Sequence, residues 1–483
     1  MVNKITKGYE PSDVLGWFEE ICSIPHGSGN ETGISEFLCD FAEKRGLEHK
    51  RDEYNNVLIR MPAAAGFENA EPIMLQGHMD MVCEKSAGVE HDFLTDPLDI
   101  YVEDGKLRAR GTTLGGDDGI AVAYMLAILD DPGIAHPALE CLITTGEETA
   151  MAGAGNFDFS QIRARRVINL DSEEEGIVTV SCAGSADVFF TLPTERLPHT
   201  GRTLKISLTG LAGGHSGTEI NMGRANSIAL MGRILARLYE TEPFNLVSVN
   251  GGNKMNAIAR ECEAEIYVLD REAAEKVINS EAADIRRELV KADKNMKLRL
   301  SKGETNAAKL SYKDTSAVIN MMRLYKTGVI AMENGSSELV RTSANMGRIT
   351  TTEEGVTLGI MARSSSDSEM DALLLDCKRL SKALGVSVFV EGKYAGWSMN
   401  PASKLSKAYA EIYDRMYGHI GKAKISAIHA GLECGIIVSA LGPDTDAISI
   451  GPNMQNIHTP NEALDLVSVE RTWNVLKELI VSD

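Results

Sequence analysis

The sequence predicts an α/β fold: a sheet domain with helices on both faces, interrupted by an inserted α+β domain. Three observations predict it. Short apolar strands end directly in clusters of His, Asp and Glu and lead on to helices, around 72–81, 141–148 and 166–175. The texture changes near residue 186, and helix–strand alternation returns from about 398. No low-complexity linker separates the parts, which suits an insertion with two crossings better than domains in tandem. The expected division is 1–186 and 398–483 for the sheet domain and 187–397 for the insertion.

Taken in order, residues 11–46 read as helical with a break at SIPHGSGNE (23–31). NNVLIRM (55–61) and PIMLQ (72–76) read as strands, the second running into GHMDM. Residues 118–131 read as a helix after a glycine-rich turn. CLITT (141–145) and RVINLD (166–171) are buried strands that end in GEE and DSEEE. In the insertion, strand 205–210, helix 224–240, strand 258–268, helix 272–291 and strand 296–301 follow one another. A similar order recurs with helix 313–326, strands near 337–351 and 355–363, helix 367–384 and strand 386–391. This reads as two related β-α-β-β-α-β units, a doubled insertion, with NAIA (256–259) and NMGR (345–348) at comparable places. A generic α+β insertion is the plainer alternative. The chain closes on a helix at 467–481.

A length of 483 residues exceeds one ordinary core. A formal net charge of −20 argues against nucleic-acid and anionic-membrane partners, which require basic surfaces. The start, MVNKITKGYEPSD, lacks the apolar stretch of a signal peptide, and GIAVAYMLAIL (119–129) is too short to span a bilayer. The eight cysteines are scattered with no C-x-x-C pair, so neither a disulfide framework nor a cysteine metal site is expected. A reducing cytoplasm fits best.

The candidate site residues are His78, Asp80, Asp117, Glu147, Glu148, Asp171 and His458. Two histidines with several carboxylates and no cysteine suit zinc, manganese or cobalt. In extended chain, residues two apart face the same side, so His78 and Asp80 can share a site, the carboxylate holding the ring's second nitrogen. GTTLGGDDGI (111–120) sets two aspartates at a helix start, where capping needs only one, leaving Asp117 free to bridge two cations. Glu147 and Glu148 would repel each other at a buried strand end unless a metal or a proton neutralised one. One can then bind metal while the other works as a base on water. Each piece has a plain alternative: a loop histidine, a cap, an acidic turn. Their joint placement at successive strand ends favours one site.

The set GHMD, GGDDG, TTGEET, LDSEE, GGHSG and IHTPNE resembles the two-metal peptidases that include carnosine-type dipeptidases, aminoacylases and carboxypeptidase G. Within them, GHMDMVCEK, GTTLGGDDGI, DSEEEG and HAGLECG are most similar to the aminoacyl-histidine dipeptidases, from about residue 10 to the end. The resemblance implies two divalent ions, zinc first, with His78 and Asp171 on one, Glu148 and His458 on the other, and Asp117 bridging them across a cis Asp117–Asp118 peptide. Glu147 would be the general base and Asp80 would orient His78. In the insertion, which would act as a lid, His215 would polarise the scissile carbonyl and Asn256 and Arg363 would grip the terminal carboxylate, while Gly431 and Glu433 in HAGLECG (429–435) would border the pocket. Glu433 would meet a free amino group or cap a helix; His26 reads as structural. Gly146, Gly116 and Ala121 stand where many relatives differ, and none of them is a ligand. The implied activity is metal-dependent hydrolysis of small dipeptides, preferentially Xaa-His and including β-alanyl-histidine. An amino-acid deacylase or a tripeptidase on the same metals is the alternative, and a silent binding protein a more distant one. A homodimer is expected from the commonness of closed symmetric dimers.

Overall fold

The computed structural model describes residues 5–303, 308–333 and 339–482. The chain forms two compact units. The first comprises Met1–Cys182, Trp397–Ala427 and Leu432–Asp483; the second comprises Ala183–Gly396 and Ile428–Gly431. The sequence sets the crossings at 186/187 and 397/398. The contacts set them at 182/183 and 396/397, and the brief return of 428–431 to the second unit has no sequence signal.

In the first unit, an eight-stranded sheet runs in the order Glu48–Arg51, Val57–Met61, Leu139–Thr144, Ile73–His78, Arg166–Asn169, Asp446–Ser449, Ile177–Cys182, Lys424–Ile428. The four central neighbours, from Leu139–Thr144 to Asp446–Ser449, pair in parallel. Leu139–Thr144 and Ile73–His78 are buried along their whole length, as strands covered on both faces must be. The helix Gly116–Asp130 is apolar all round and buried from Gly116 to Leu129, because it is packed between the Ile73–His78 strand and the helix Ser12–Cys22. Its close approach to the strand depends on Gly77: a Cβ there would stand 2.4 Å from Asp118 Oδ2 and 2.7 Å from Ala121 Cβ. A small four-stranded sheet joins Met454–Gln455 and Ala463–Asp465 to the hairpin Ile100–Glu103 and Lys106–Ala109.

The second unit is built on an antiparallel sheet in the order Lys297–Lys302, Leu204–Thr209, Cys262–Val268, Phe244–Gly251, Val340–Thr351, Gly355–Ser364, Gly184–Pro193, Ser387–Tyr394. The two halves of this order mirror each other about the junction of Phe244–Gly251 with Val340–Thr351. Each half is one β-α-β-β-α-β unit, so the insertion is doubled. The first strand of the second half is Gly184–Pro193, which precedes the entire first half in sequence. That is why the sequence shows the second half without its opening strand. NAIA and NMGR are not equivalent positions: Ala257–Ile258 lies in the connection after Phe244–Gly251, whereas Asn345 sits within a sheet strand. They are neighbours instead, Asn345 Nδ2 donating to the carbonyls of Met255 (3.0 Å) and Ala257 (2.8 Å).

Candidate metal centre

The parallel register aligns His78 with Thr144 and Gln76 with Asn169, so these three strands end at one edge of the sheet. His78 terminates its strand, Glu147 and Glu148 follow Thr144, and Asp171 follows Asn169. Asp117 opens the buried helix, and His458 sits in the loop between Met454–Gln455 and Ala463–Asp465 with φ at +60°. The Asp117–Asp118 peptide is cis.

The seven first-unit candidates come together. Asp117 Oδ1 lies 3.2 Å from His78 Nε2, and Asp117 Oδ2 lies 3.2 Å from His458 Nε2. Glu148 Oε1 is 2.9 Å from His458 Nε2, yet this buried oxygen is outside hydrogen-bond geometry. Asp171 Oδ1 is 3.7 Å and Glu147 Oε2 4.0 Å from His78 Nε2. His78, Glu147 and Glu148, and likewise Asp117, Glu148 and His458, present ligand-type atoms within 4.8 Å of one another. Donors about 2.1 Å from a tetrahedral zinc stand roughly 3.4 Å apart. Two imidazoles on opposite oxygens of one carboxylate therefore have the spacing of two cation sites sharing a ligand, and the donor set fits hard or borderline divalent ions.

The electrostatics favour cations as well. Burial disfavours a charged His78, but the Asp117 and Asp80 carboxylates outweigh it and hold its pKa well above the imidazole range. Asp117 and then Glu148 raise His458 to about 10. Asp117 itself is also opposed by burial, and its two imidazole partners depress it below the usual carboxylate range. Its neighbours go the other way. Burial lifts Glu147 to about 8, and burial together with the adjoining acids lifts Asp171 and Asp118 well above normal. A buried excess of acids over imidazoles is relieved by protons or by divalent cations.

The supporting shell differs from expectation in detail. His78 Nδ1 has its nearest acceptor in the main-chain carbonyl of Asp80, at 2.9 Å, with the Asp80 carboxylate at 3.4 Å. That carboxylate accepts from Ser28 Oγ (2.8 Å) and from the Glu147 and Glu148 amides (3.1 and 3.4 Å). Asp80 thus positions the Glu147–Glu148 turn as well as the histidine. Asp118 is fully buried and accepts from the His78 amide at 3.1 Å. His26 is buried, its Nδ1 2.6 Å from the Ile24 carbonyl, consistent with a structural part.

Glu433 belongs to the first unit. It is wholly buried, with one oxygen accepting from Gln76 Nε2 (2.5 Å) and Thr144 Oγ1 (2.6 Å), and it caps no helix through its side chain. Gln76 in turn accepts from Asn169 Nδ2 at 2.7 Å, and Asn169 Oδ1 accepts from the Asp171 amide at 3.3 Å. This buried chain crosses three strands beneath the candidate ligands and props the sheet edge through one Glu433 oxygen, while Oε1 has no hydrogen-bond partner among the described residues. Sequence reasoning missed the chain; the available signal was Gln76, a polar residue inside an otherwise apolar strand.

In the second unit, His215 and Ala257 pair across two short strands, which puts exposed Asn256 beside His215. The Thr218 amide donates to His215 Nδ1 at 3.1 Å, leaving the neutral ring its proton on Nε2. Burial and then the charge of Arg363 lower the His215 pKa. Arg363 is buried, and its Nε has no hydrogen-bond partner. His429, which the sequence did not single out, lies near both and bonds Ser343 Oγ at 2.7 Å. Gly431 closes the 428–431 excursion.

No helix among the described residues is long and apolar enough to cross a membrane. The chain is 37% identical to the cytosol non-specific dipeptidase of Escherichia coli over 97% of each sequence. Its structure is similar to that of aminoacylhistidine dipeptidase from Vibrio alginolyticus, with a TM-score of 0.91, 33% identity, and coverage of 99% of this chain and 97% of that one. Aminopeptidase PepT from Bacillus cereus shares the fold, with a TM-score of 0.56 at 16% identity. The model of peptidase family M20/M25/M40 matches residues 74–482, and together with these relatives it shows that the chain belongs to that family.

Proposed function

We propose that the chain is a metal-dependent dipeptidase that hydrolyses small dipeptides, Xaa-His and β-alanyl-histidine among the preferred ones. The observation that carries this is Asp117, whose two oxygens each face a different imidazole at 3.2 Å with Glu147 beside them. The relatives named as dipeptidases, one non-specific and one for aminoacyl-histidine, support the substrate class. His78 and Asp171 would hold one divalent ion, Glu148 and His458 the other, and Asp117 both. Zinc suits the nitrogen and carboxylate donors best, with manganese and cobalt as substitutes. When bound, the ions supply Lewis-acid polarisation and make water acidic enough to react near neutral pH.

Glu147 takes the proton of the attacking water and returns it to the leaving amine. Asp80 fixes the turn that carries Glu147, through the Glu147 amide at 3.1 Å. His215 donates its Nε2 proton to the carbonyl oxygen as negative charge develops there. Arg363 and Asn256 receive the terminal carboxylate, the guanidinium through paired donors, and Gly431 borders the same pocket. The protein works in the cytoplasm as a homodimer.

The test is hydrolysis of β-alanyl-histidine, Leu-His, Gly-Gly, N-acetyl amino acids and a tripeptide, with chelator and then with added zinc, manganese or cobalt. Metal-dependent cleavage of the Xaa-His dipeptides is expected. Cleavage of only the acetylated amino acids or the tripeptide would replace this reading with a deacylase or tripeptidase.

A further inference from the structure

We propose that Glu462 is a positioning residue for the metal pair, its carboxylate clamping the loop that carries Asp117 to the loop that carries His458. The inference rests on the reading of those two residues as ligands. Glu462 is only 4% exposed, and it has no cation against it among the contacts of the described residues. Its counter-charge is backbone. Oε2 accepts from the amides of Leu114 (2.8 Å) and Gly115 (3.3 Å), and Oε1 accepts from Gly116 (2.8 Å).

Three consecutive amides converge because Gly115 is left-handed at φ +68°, the arrangement that makes a backbone nest for an anion. The loop is tightly packed at this point. A Cβ on Gly115 would stand 2.9 Å from Met81 Sδ, and one on Gly116 would stand 3.2 Å from Glu462 Oε1. The residue after Gly116 is Asp117. Asp117 reaches His458 Nε2 at 3.2 Å, and His458 lies four residues before Glu462 in the same loop, so the contacts close a ring. Beyond Glu462, the strand Ala463–Asp465 anchors that loop to Lys106–Ala109.

The ring fixes the separation of the two loops before any ion arrives. A neutral amide at residue 462 presents one acceptor and one NH2 to three N–H donors, so at least one amide loses its partner and the Asp117 loop is released. Partners that orient ligands in this way change metal affinity by about 10–100-fold when lost.

The experiment is cobalt(II) titration of the metal-stripped protein, followed by its visible spectrum and by bound cobalt per chain. It compares wild type, Glu462→Gln and Leu38→Ala, the last a cavity at a fully buried leucine of the first-unit helix Thr32–Lys44 that controls for general destabilisation. Glu462→Gln is expected to bind cobalt at least about 10-fold more weakly, with an altered spectrum, while Leu38→Ala matches wild type. Wild-type affinity and spectrum in Glu462→Gln would overturn the clamp alone. Failure of wild type itself to bind cobalt would overturn the metal reading and the clamp with it. Should Glu462→Gln not fold, Glu462→Asp is measured in its place. Its carboxylate is set back by one methylene and is expected to lose part of the affinity; full affinity there also overturns the proposal.

Discussion

Asp117 and Glu147 stand at the same cluster, and two substitutions separate the bridging and general-base roles proposed for them. Asp117→Asn removes the charge that faces both imidazoles, so the isolated protein is expected to lose both ions and all turnover, as read by metal content per chain. Glu147→Ala leaves the Asp117, Glu148 and His458 donors in place. It should keep its metal and lose turnover by about 10²–10⁴-fold; near-normal turnover would remove Glu147 as the base. The acids also set a pH dependence in stripped protein. Folding raises Glu147 to about 8 and His458 to about 10, and lifts Asp171 and Asp118 well above normal. The folded state therefore holds protons that the unfolded chain has already released, and stability falls as pH rises through that window. The urea midpoint of stripped protein should be lower at about pH 9 than at about pH 6, and a rise would contradict these shifts. Most of the candidate ligands were legible because they follow an apolar strand or open a buried helix, whereas His458 sits in a loop. Glu462 and the Glu433–Gln76–Asn169 chain were not, because their partners lie from 93 to 357 residues away and are backbone amides or buried polar side chains that leave no spacing pattern.

The junction of the Ile73–His78 strand with the helix Gly116–Asp130 is what holds His78 and Asp117 in register. Gly77→Ala would push a methyl into Asp118 and Ala121 at this junction. Overpacking of this kind costs about 1–3 kcal/mol, so its denaturant midpoint is expected to fall with metal bound as well as without; an unchanged midpoint would mean that the junction has slack. Most elements here were readable from periodicity, since buried parallel strands and an all-apolar helix have strong signatures. The short hairpin Ile100–Glu103 and Lys106–Ala109 was not, being four residues a strand and half polar. Nor was Gly184–Pro193, whose partners Gly355–Ser364 and Ser387–Tyr394 come much later in the chain.

At the scale of the whole chain, the first unit assembles its ligand edge from segments as distant as residues 78 and 458, so the site exists only in the folded state. Ions that bind only the folded chain stabilise it in proportion to their free concentration. Stripping the metal should therefore lower the thermal midpoint, and zinc should restore it; equal midpoints would mean that no ion belongs there. The net charge of −20 and the inserted doubled unit were legible as bulk features of the sequence. The return of 428–431 to the second unit was not, because four residues carry no pattern. Two ions on this cluster are expected to enable dipeptide hydrolysis. The most direct test is β-alanyl-histidine hydrolysis by stripped protein during stepwise addition of zinc, with bound metal counted in parallel. Activity should be negligible without metal and rise until it levels off at two bound ions per chain. Full activity in protein shown to be free of metal would contradict it.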